Sequence, residues 1–405
     1  MSYKISPVTP EGMRAVAAAA ALIEPFCERA DAADRANEMC SENFTDMQRS
    51  GVASSFVPVD LGGFGLRSMH DWNLLVATLA HGDGSAAIAI SMHLSATRGL
   101  EAVYRNNEPG SAAHERAKHL LKAVAQREML ICSTTTERGT DNLHPFSEAV
   151  EVDSGWRLNG TKHFVTMSPL ATHIATNLRM RDNEGDHIVN VLFPLDTPGV
   201  RPHGDWNALG MRASGSQSVS FENCLVPHDA LRKIGPWGRW SIPVLVHRTL
   251  ANVPLVAAFL GIAEAAFEIG LDVQKKADKA ASRPGVAHAL AEMEILLATS
   301  QSILAQLGQK LDRFMDATEG GATATYDQGH ELMKDYQCAK WVVNRNAIAI
   351  VNQAMDLFGG GGYMARNPLT RLYRDVRAGS FMQPHSPIDA RDYMGRVLLG
   401  SYPDA

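Results

Sequence analysis

The chain has 405 residues, of which 45% are apolar and 20% charged, and its net charge is −6. A chain of this length buries a large core and divides naturally into two or three packed subdomains. Its acidic balance, with no basic stripe interleaved with aromatics, excludes nucleic acid as the main partner.

The alanine-rich run at 15–23 lies between Glu11 and Glu24 and continues into a charged amphipathic stretch, so it predicts a first helix rather than a secretion signal. Helical patterning continues to about residue 128. It is broken by the loop VPVDLGGFGLRS at 57–68, whose glycines suit a chain passing close to another backbone. The segment at 82–100 carries small residues at close intervals, a surface that a neighbour or ligand can approach, with His93 at its centre. Imidazole titrates near neutrality, so His93 is a candidate proton-transfer group; the plainer alternative is a hydrogen-bonded core histidine.

From about residue 130 to 235 the pattern changes to short alternating runs separated by Gly, Asn, Asp and Pro, which predicts antiparallel strands. Asn159-Gly160, between WRL and TKHFVT, predicts a hairpin turn, because both residues tolerate positive φ. After Pro243, three stretches at 244–277, 286–317 and 326–358 keep helical spacing for seven turns or more, with a loop at 320–325. They predict a bundle completed by the last segment of the chain. The longest apolar run, 253–261, is too short to cross a bilayer. Cys27, Cys40, Cys132, Cys224 and Cys338 form no CxxC pair and no zinc-type spacing, so they read as thiols of a reducing compartment. The expectation is a cytoplasmic α+β protein without metal or membrane contact. It comprises an N-terminal helical domain (1–129), a middle antiparallel β-domain (130–238) and a C-terminal four-helix bundle (239–405).

The segment 358–387 concentrates the chemistry. Gly359, Gly360, Gly361 and Gly362 follow a helix end, and successive glycine amides can converge on an anion as a nest. Ser386, Pro387 and Asp389 are helix-start devices, so the turn holding Gln383 and His385 is fixed by helices at both ends.

Four motifs then occur in register: STTTERGTD at 133–141, WRLNGTKHFVT at 156–166, LGMRASGSQSVSFENCLVP at 209–227 and FGGGGY…NPLTRLYRD at 358–375. Together they resemble the acyl-CoA dehydrogenase superfamily over nearly the whole chain. The resemblance implies an FAD-dependent oxidoreductase that passes hydride from an acyl thioester, on CoA or a carrier, to flavin N5. It places Thr135 and Thr136 along the pyrimidine edge, Phe164 over the flavin and Thr166 near N5. It also implies that the glycine loop reaches the flavin of a neighbouring subunit in a homodimer or homotetramer, with an electron-transfer flavoprotein or a flavin reductase as electron partner.

The chain departs from that pattern where the chemistry lies. The family's catalytic glutamate falls on Gln383, and an amide cannot accept a proton as a base. The alternative base position on a central helix falls on Asn252, also neutral. Of the family's Arg…Phe-Gly…Gln cofactor segment only Arg283 is echoed within 275–293, and the glutamine before the glycine loop is Asp356. His385 and His93 are then the candidate proton carriers, alongside Gln383 as a carbonyl-positioning group. The leading expectation is a dehydrogenase-type enzyme with an unusual base. The alternatives are a monooxygenase that takes reduced flavin from a reductase and forms a C4a-peroxide, and a non-catalytic protein that binds flavin or thioester.

Overall fold

Short polar caps set the starts of the N-terminal helices. Thr9, Ser68, Asp83 and Ser111 each accept a first-turn amide, opening α1 (Pro10–Ala20), α4 (Met69–Gly82), α5 (Gly84–Asn106) and α6 (Ala112–Ala125). Between α1 and α4 lie α2 (Ile23–Ala36) and α3 (Ser41–Arg49). The computed structural model describes residues 5–277 and 282–402; residues 278–281, part of the segment containing Arg283, lie outside it.

Eight strands follow: β1 (Ile131–Thr134), β2 (Glu148–Val152), β3 (Gly155–Val165), β4 (His173–Asp182), β5 (Gly185–Pro194), β6 (Val200–Pro202), β7 (Gln217–Val226) and β8 (Leu231–Pro236). The sheet order is β6-β7-β3-β2-β4-β5-β8, with β1 also paired to β4. Most pairs are antiparallel, as the turn-rich sequence predicts, but β1 and β2 both run parallel to β4.

The expected hairpin at Asn159-Gly160 does not form. β3 runs straight through it, and the turn lies earlier, between Val152 and Gly155. Asn159 Oδ1 instead accepts from Asn223 N (2.9 Å), and Gly160, at φ +140°, lies at a register shift in the β3–β7 pairing. A Cβ there would come within 2.2 Å of Ser147 Oγ, so the glycine serves a close approach inside the sheet rather than a turn.

The C-terminal helices are α7 (Ile242–Lys275), α8 (Pro284–Ala317), α9 (Tyr326–Phe358), α10 (Pro368–Asp375) and α11 (Pro387–Leu398). α7 is long and apolar enough to cross a membrane, yet 78% of its most apolar window is buried inside the protein. Its neighbours explain this: α9 packs along one side and α4, from the N-terminal half, along another. Gly261 lets α4 approach to backbone contact, since a Cβ would meet the Ala77 carbonyl at 2.1 Å.

The arginines of the TRLYRD stretch join the two ends of the chain. Arg371 Nε donates to Asp31 Oδ1 (2.8 Å) and Arg374 Nη1 to Asp34 Oδ1 (2.9 Å), both on α2. Asp375 accepts from Met211 N (2.6 Å), and burial raises its carboxyl to about 6. These guanidinium groups are thus committed to internal ion pairs.

Candidate active site

Gln383 lies where three parts of the fold meet. Its side-chain amide touches that of Asn142, in the loop between β1 and β2, at 2.5 Å, and its Nε2 lies 3.4 Å from Thr136 Oγ1. Thr135 Oγ1 is 3.0 Å from the Asn142 side chain. Arg248, on the first turns of α7, donates to the Asn142 backbone carbonyl. With the Asn142 and Gln383 amides both turned, Asn142 Oδ1 accepts from Gln383 and from Arg248 Nη1 (2.9 Å), and its Nδ2 donates to the Thr135 hydroxyl (3.0 Å). Three of the expected residues, Thr135, Thr136 and Gln383, therefore converge, and Asn142 and Arg248 join them.

The groups that meet at Gln383 are amides, hydroxyls and a guanidinium. The nearby carboxylate of Asp141 is engaged by His144 (2.8 Å). Asn252 donates to the Arg248 carbonyl of its own helix (2.7 Å), so neither position expected to hold a base carries a proton acceptor of the right strength.

Beside this centre Arg98 on α5, Arg232 on β8 and Arg248 on α7 lie close enough to His247, also on α7, for their charges to act on its ring. His247 and Arg232 are exposed at the surface while protein crowds them from below, Arg98 is half-buried and Arg248 is buried. Its imidazole is pushed down to about 4, first by burial and then by the positive charges of Arg98, Arg232 and Arg248. Burial pulls Arg98 down to about 10 and Arg248 to about 9, and it lowers Arg232 as well. All three remain charged near neutrality. The carboxylates of Glu101 and Asp312 act on Arg98 and that of Asp141 on Arg248, and the positive charge left over favours an anion.

His385 stacks on Tyr393 with ring centroids 4.6 Å apart, and its Nε2 has no hydrogen-bond partner. Burial, then the charge of Lys340, pushes it down to about 4, so the ring is neutral and weakly basic. His93 is placed differently from the expectation. Its Nδ1 accepts from Ile131 N (3.1 Å) and its Nε2 donates to the Ala53 carbonyl (2.9 Å), joining α5 to β1 and to the 52–54 turn. Both nitrogens are committed and burial holds the ring at about 4, which corrects the catalytic expectation for His93: it is a structural histidine. Replacing it with leucine leaves a buried donor and acceptor unpaired, so the unfolding free energy should fall by about 2–4 kcal/mol in urea titration. Turnover per folded molecule should be retained.

The flavin-side residues lie at the end of β3. Phe164, at φ +53°, is 57% exposed, with its ring edge-on to Trp206 at 5.8 Å. An exposed ring held this way suits stacking against a planar group. The Thr166 hydroxyl is 2.9 Å from Ser216 Oγ, which in turn is 2.7 Å from Ser214 Oγ, forming a short hydroxyl chain. Phe164 and these hydroxyls fit a flavin ring.

The glycine loop is exposed and has nothing of its own chain around Gly359 or Gly360. The amides of Gly359 and Gly362 are already used, by the Met355 and Gly359 carbonyls. Beside it is a cavity of about 580 Å³ lined by Gln274, Arg283, Gln353 and Asp356. The Oε1 atoms of both glutamines are unpartnered. Among the described residues this lining offers a diphosphate the Arg283 guanidinium, the Asp356 carboxylate and two glutamine amides. Elsewhere, Asp182, Glu184 and His187 come together at the β4–β5 turn, but Lys233 bridges both carboxylates into a surface ion cluster.

Comparison with known proteins agrees with this geometry. Residues 131–224 match the family model for the acyl-CoA dehydrogenase middle domain, and residues 250–386 match that for its C-terminal domain. The amino sugar nitrososynthase DnmZ of Streptomyces peucetius is 33% identical over 402 residues, 97% of this chain and 95% of that protein. A dibenzothiophene monooxygenase of Rhodococcus erythropolis is 25% identical over 411 residues, 96% of this chain and 94% of that one. The structure of KijD3 with FMN and dTDP-3-amino-2,3,6-trideoxy-4-keto-3-methyl-D-glucose superposes with a TM-score of 0.90 at 28% identity, covering 100% of this chain and 97% of that one. Fold and site define a flavin-dependent oxidoreductase. The chain belongs to the acyl-CoA dehydrogenase superfamily.

Sequence reasoning did not find Asn142, Arg98, Arg232, His247 or Arg248. One signal was available for Arg248: it lies in the run from Ile242 to Ala263, which contains no acidic residue to pair with it.

Proposed function

We propose that this protein is a reduced-flavin-dependent monooxygenase that oxygenates the amino group of a sugar carried on a nucleoside diphosphate. The observation that carries the reading is the centre at Gln383, where the glutamine amide touches Asn142 and Thr136 rather than a carboxylate, with Arg98, Arg232 and Arg248 nearby. An amine attacks electrophilic oxygen only as the free base. A neutral amide at 383, in place of an anion in contact, gives a bound ammonium no partner for its charge and favours that form. A carboxylate at 383, as in a dehydrogenase, would do the reverse.

In this reading Arg98, Arg232 and Arg248 form the cleft that binds the diphosphate, while Gln383 and Asn142 offer neutral hydrogen bonds that orient the amine without charging it. Reduced flavin, delivered by a separate reductase, supplies two electrons to O2, so that one oxygen atom joins the substrate nitrogen and the other leaves as water. The FMN of the KijD3 structure supports FMN as the flavin. The sugar-nucleotide ligand of the KijD3 structure supports the substrate class. A second copy of this chain fits against the exposed glycine loop, where Tyr363 is 83% exposed. The need for reduced nicotinamide and flavin suits the cytoplasm.

The test supplies the purified protein with NADH, a flavin reductase, FMN and air, together with a nucleotide-linked amino sugar. Product heavier by one oxygen atom on nitrogen is the expected result. Bleaching of bound flavin by an acyl-CoA, without any reductase, would overturn the reading in favour of a dehydrogenase.

A further inference from the structure

Three side chains of α9 spaced four residues apart face the segment that carries Gln383. The Tyr336 hydroxyl donates to the Gln383 carbonyl (2.7 Å). Lys340 Nζ donates to the carbonyls of Met382 and His385, the latter at 2.7 Å. Asn344 Nδ2 donates to the Gly379 carbonyl (3.0 Å). Positions i, i+4 and i+8 form one stripe on a helix, so a single face of α9 captures the backbone from Gly379 to His385. That segment belongs to no sheet, and its carbonyls need partners when buried. All three α9 side chains are buried.

Lys340 stands apart from the other two. Among the described residues it has no carboxylate in ion-pair contact. The titratable and charged groups around Lys340 and the His385 ring it faces are Tyr336 and Arg345 on α9, Asp389, Arg391 and Tyr393 on α11, Arg248 on α7, and Asp141 in the loop between β1 and β2. Neutral donors serve at Tyr336 and Asn344, whereas an unpaired ammonium in the interior is costly. The charge itself is therefore the feature to explain.

We propose that Lys340 is a positioning residue of the active site: its ammonium fixes the backbone from Met382 to His385, which holds Gln383 against Asn142 and sets the charge beside the His385 ring. Two consequences separate this role from simple packing. The positive charge disfavours a proton on His385, so removing it raises the pH at which that ring titrates. Burial also pushes Lys340 down to about 8, so the wild-type turn loses its ammonium as pH rises through that value, and turnover falls with it.

The experiment uses the full chain carrying Lys340→Met, with carbon-13-labelled histidine, and follows His385 by NMR and turnover across pH. Three results are expected: a His385 midpoint moved upward, turnover reduced by about tenfold or more with little change in KM, and no alkaline fall near pH 8. Thermal stability should stay near wild type, because losing the desolvated charge offsets losing its hydrogen bonds. Tyr336→Phe, which removes only the Gln383 carbonyl bond, should lower turnover while leaving the His385 titration in place. An unmoved His385 midpoint in Lys340→Met overturns the proposal, as does turnover lost only in proportion to the unfolded fraction. If Lys340→Met does not fold, unchanged turnover in Tyr336→Phe overturns it. The turnover arm rests on the oxygenase reading and the NMR arm does not. A shifted His385 midpoint in a protein that oxygenates no amino sugar would therefore count against that reading alone.

Discussion

Replacing Gln383 with glutamate is expected to lower turnover near neutral pH by about tenfold or more and to move activity toward higher pH. The new carboxylate would stand where the amide now touches Asn142 at 2.5 Å, within reach of the reacting amine. An anion in contact favours the ammonium, and a shift of one pKa unit costs about 1.4 kcal/mol, or about tenfold in free amine below its pKa. Arg248 opposes this by pairing with the glutamate, but it already donates to the Asn142 carbonyl and approaches through Asn142 rather than directly. The contact pair therefore dominates. The pH profile of kcat/KM decides the matter. A variant profile superimposable on the wild type would mean that the missing carboxylate does not keep the amine neutral.

Much of the scaffold was legible because local chemistry determines it. Ser386 caps α11 by accepting from Asp389 N, with Pro387 opening the helix, as those residue types predict. The 57–68 loop brings Gly63 against the Val57 and Ser54 carbonyls, where a Cβ would lie within 2.1 and 2.5 Å, the close backbone approach its glycines announce. The reading failed where a local rule met a tertiary demand. Asn159-Gly160 has the composition of a turn, but Ser147 packs over Gly160 and Asn223 bonds Asn159, so the strand continues. His93 has the pKa of a catalyst in isolation and loses it to two backbone bonds made across 38 and 40 residues. The site was half legible for the same reason. Gln383 was found because its neighbours form a motif, whereas Asn142, Arg98, Arg232 and Arg248 come from a loop and three different elements. No spacing in the sequence encodes that meeting.

The same cleft gives the second large effect. Removing Arg98 and Arg232 together, as alanines, is expected to raise KM for a nucleoside-diphosphate amino sugar by about a hundredfold, with kcat changed far less. A charge-assisted hydrogen bond contributes about 1.5–3 kcal/mol, and solvent reaching Arg232 places its share at the low end, so about tenfold each is a fair expectation. Arg248 stays out of this variant because its contact with Asn142 ties it to the reacting centre. The two groups act on the phosphates and not on the nitrogen, which separates binding from chemistry: interactions equally strong in ground and transition states alter KM alone. Raising the salt concentration should weaken wild-type binding and leave the double variant nearly indifferent, because the screened charges are gone. An amino sugar without phosphates should be processed equally, and poorly, by both proteins. If the double variant binds the diphosphate substrate as tightly as the wild type, the arginines line the cleft without holding the nucleotide, and the assignment of substrate class falls with them.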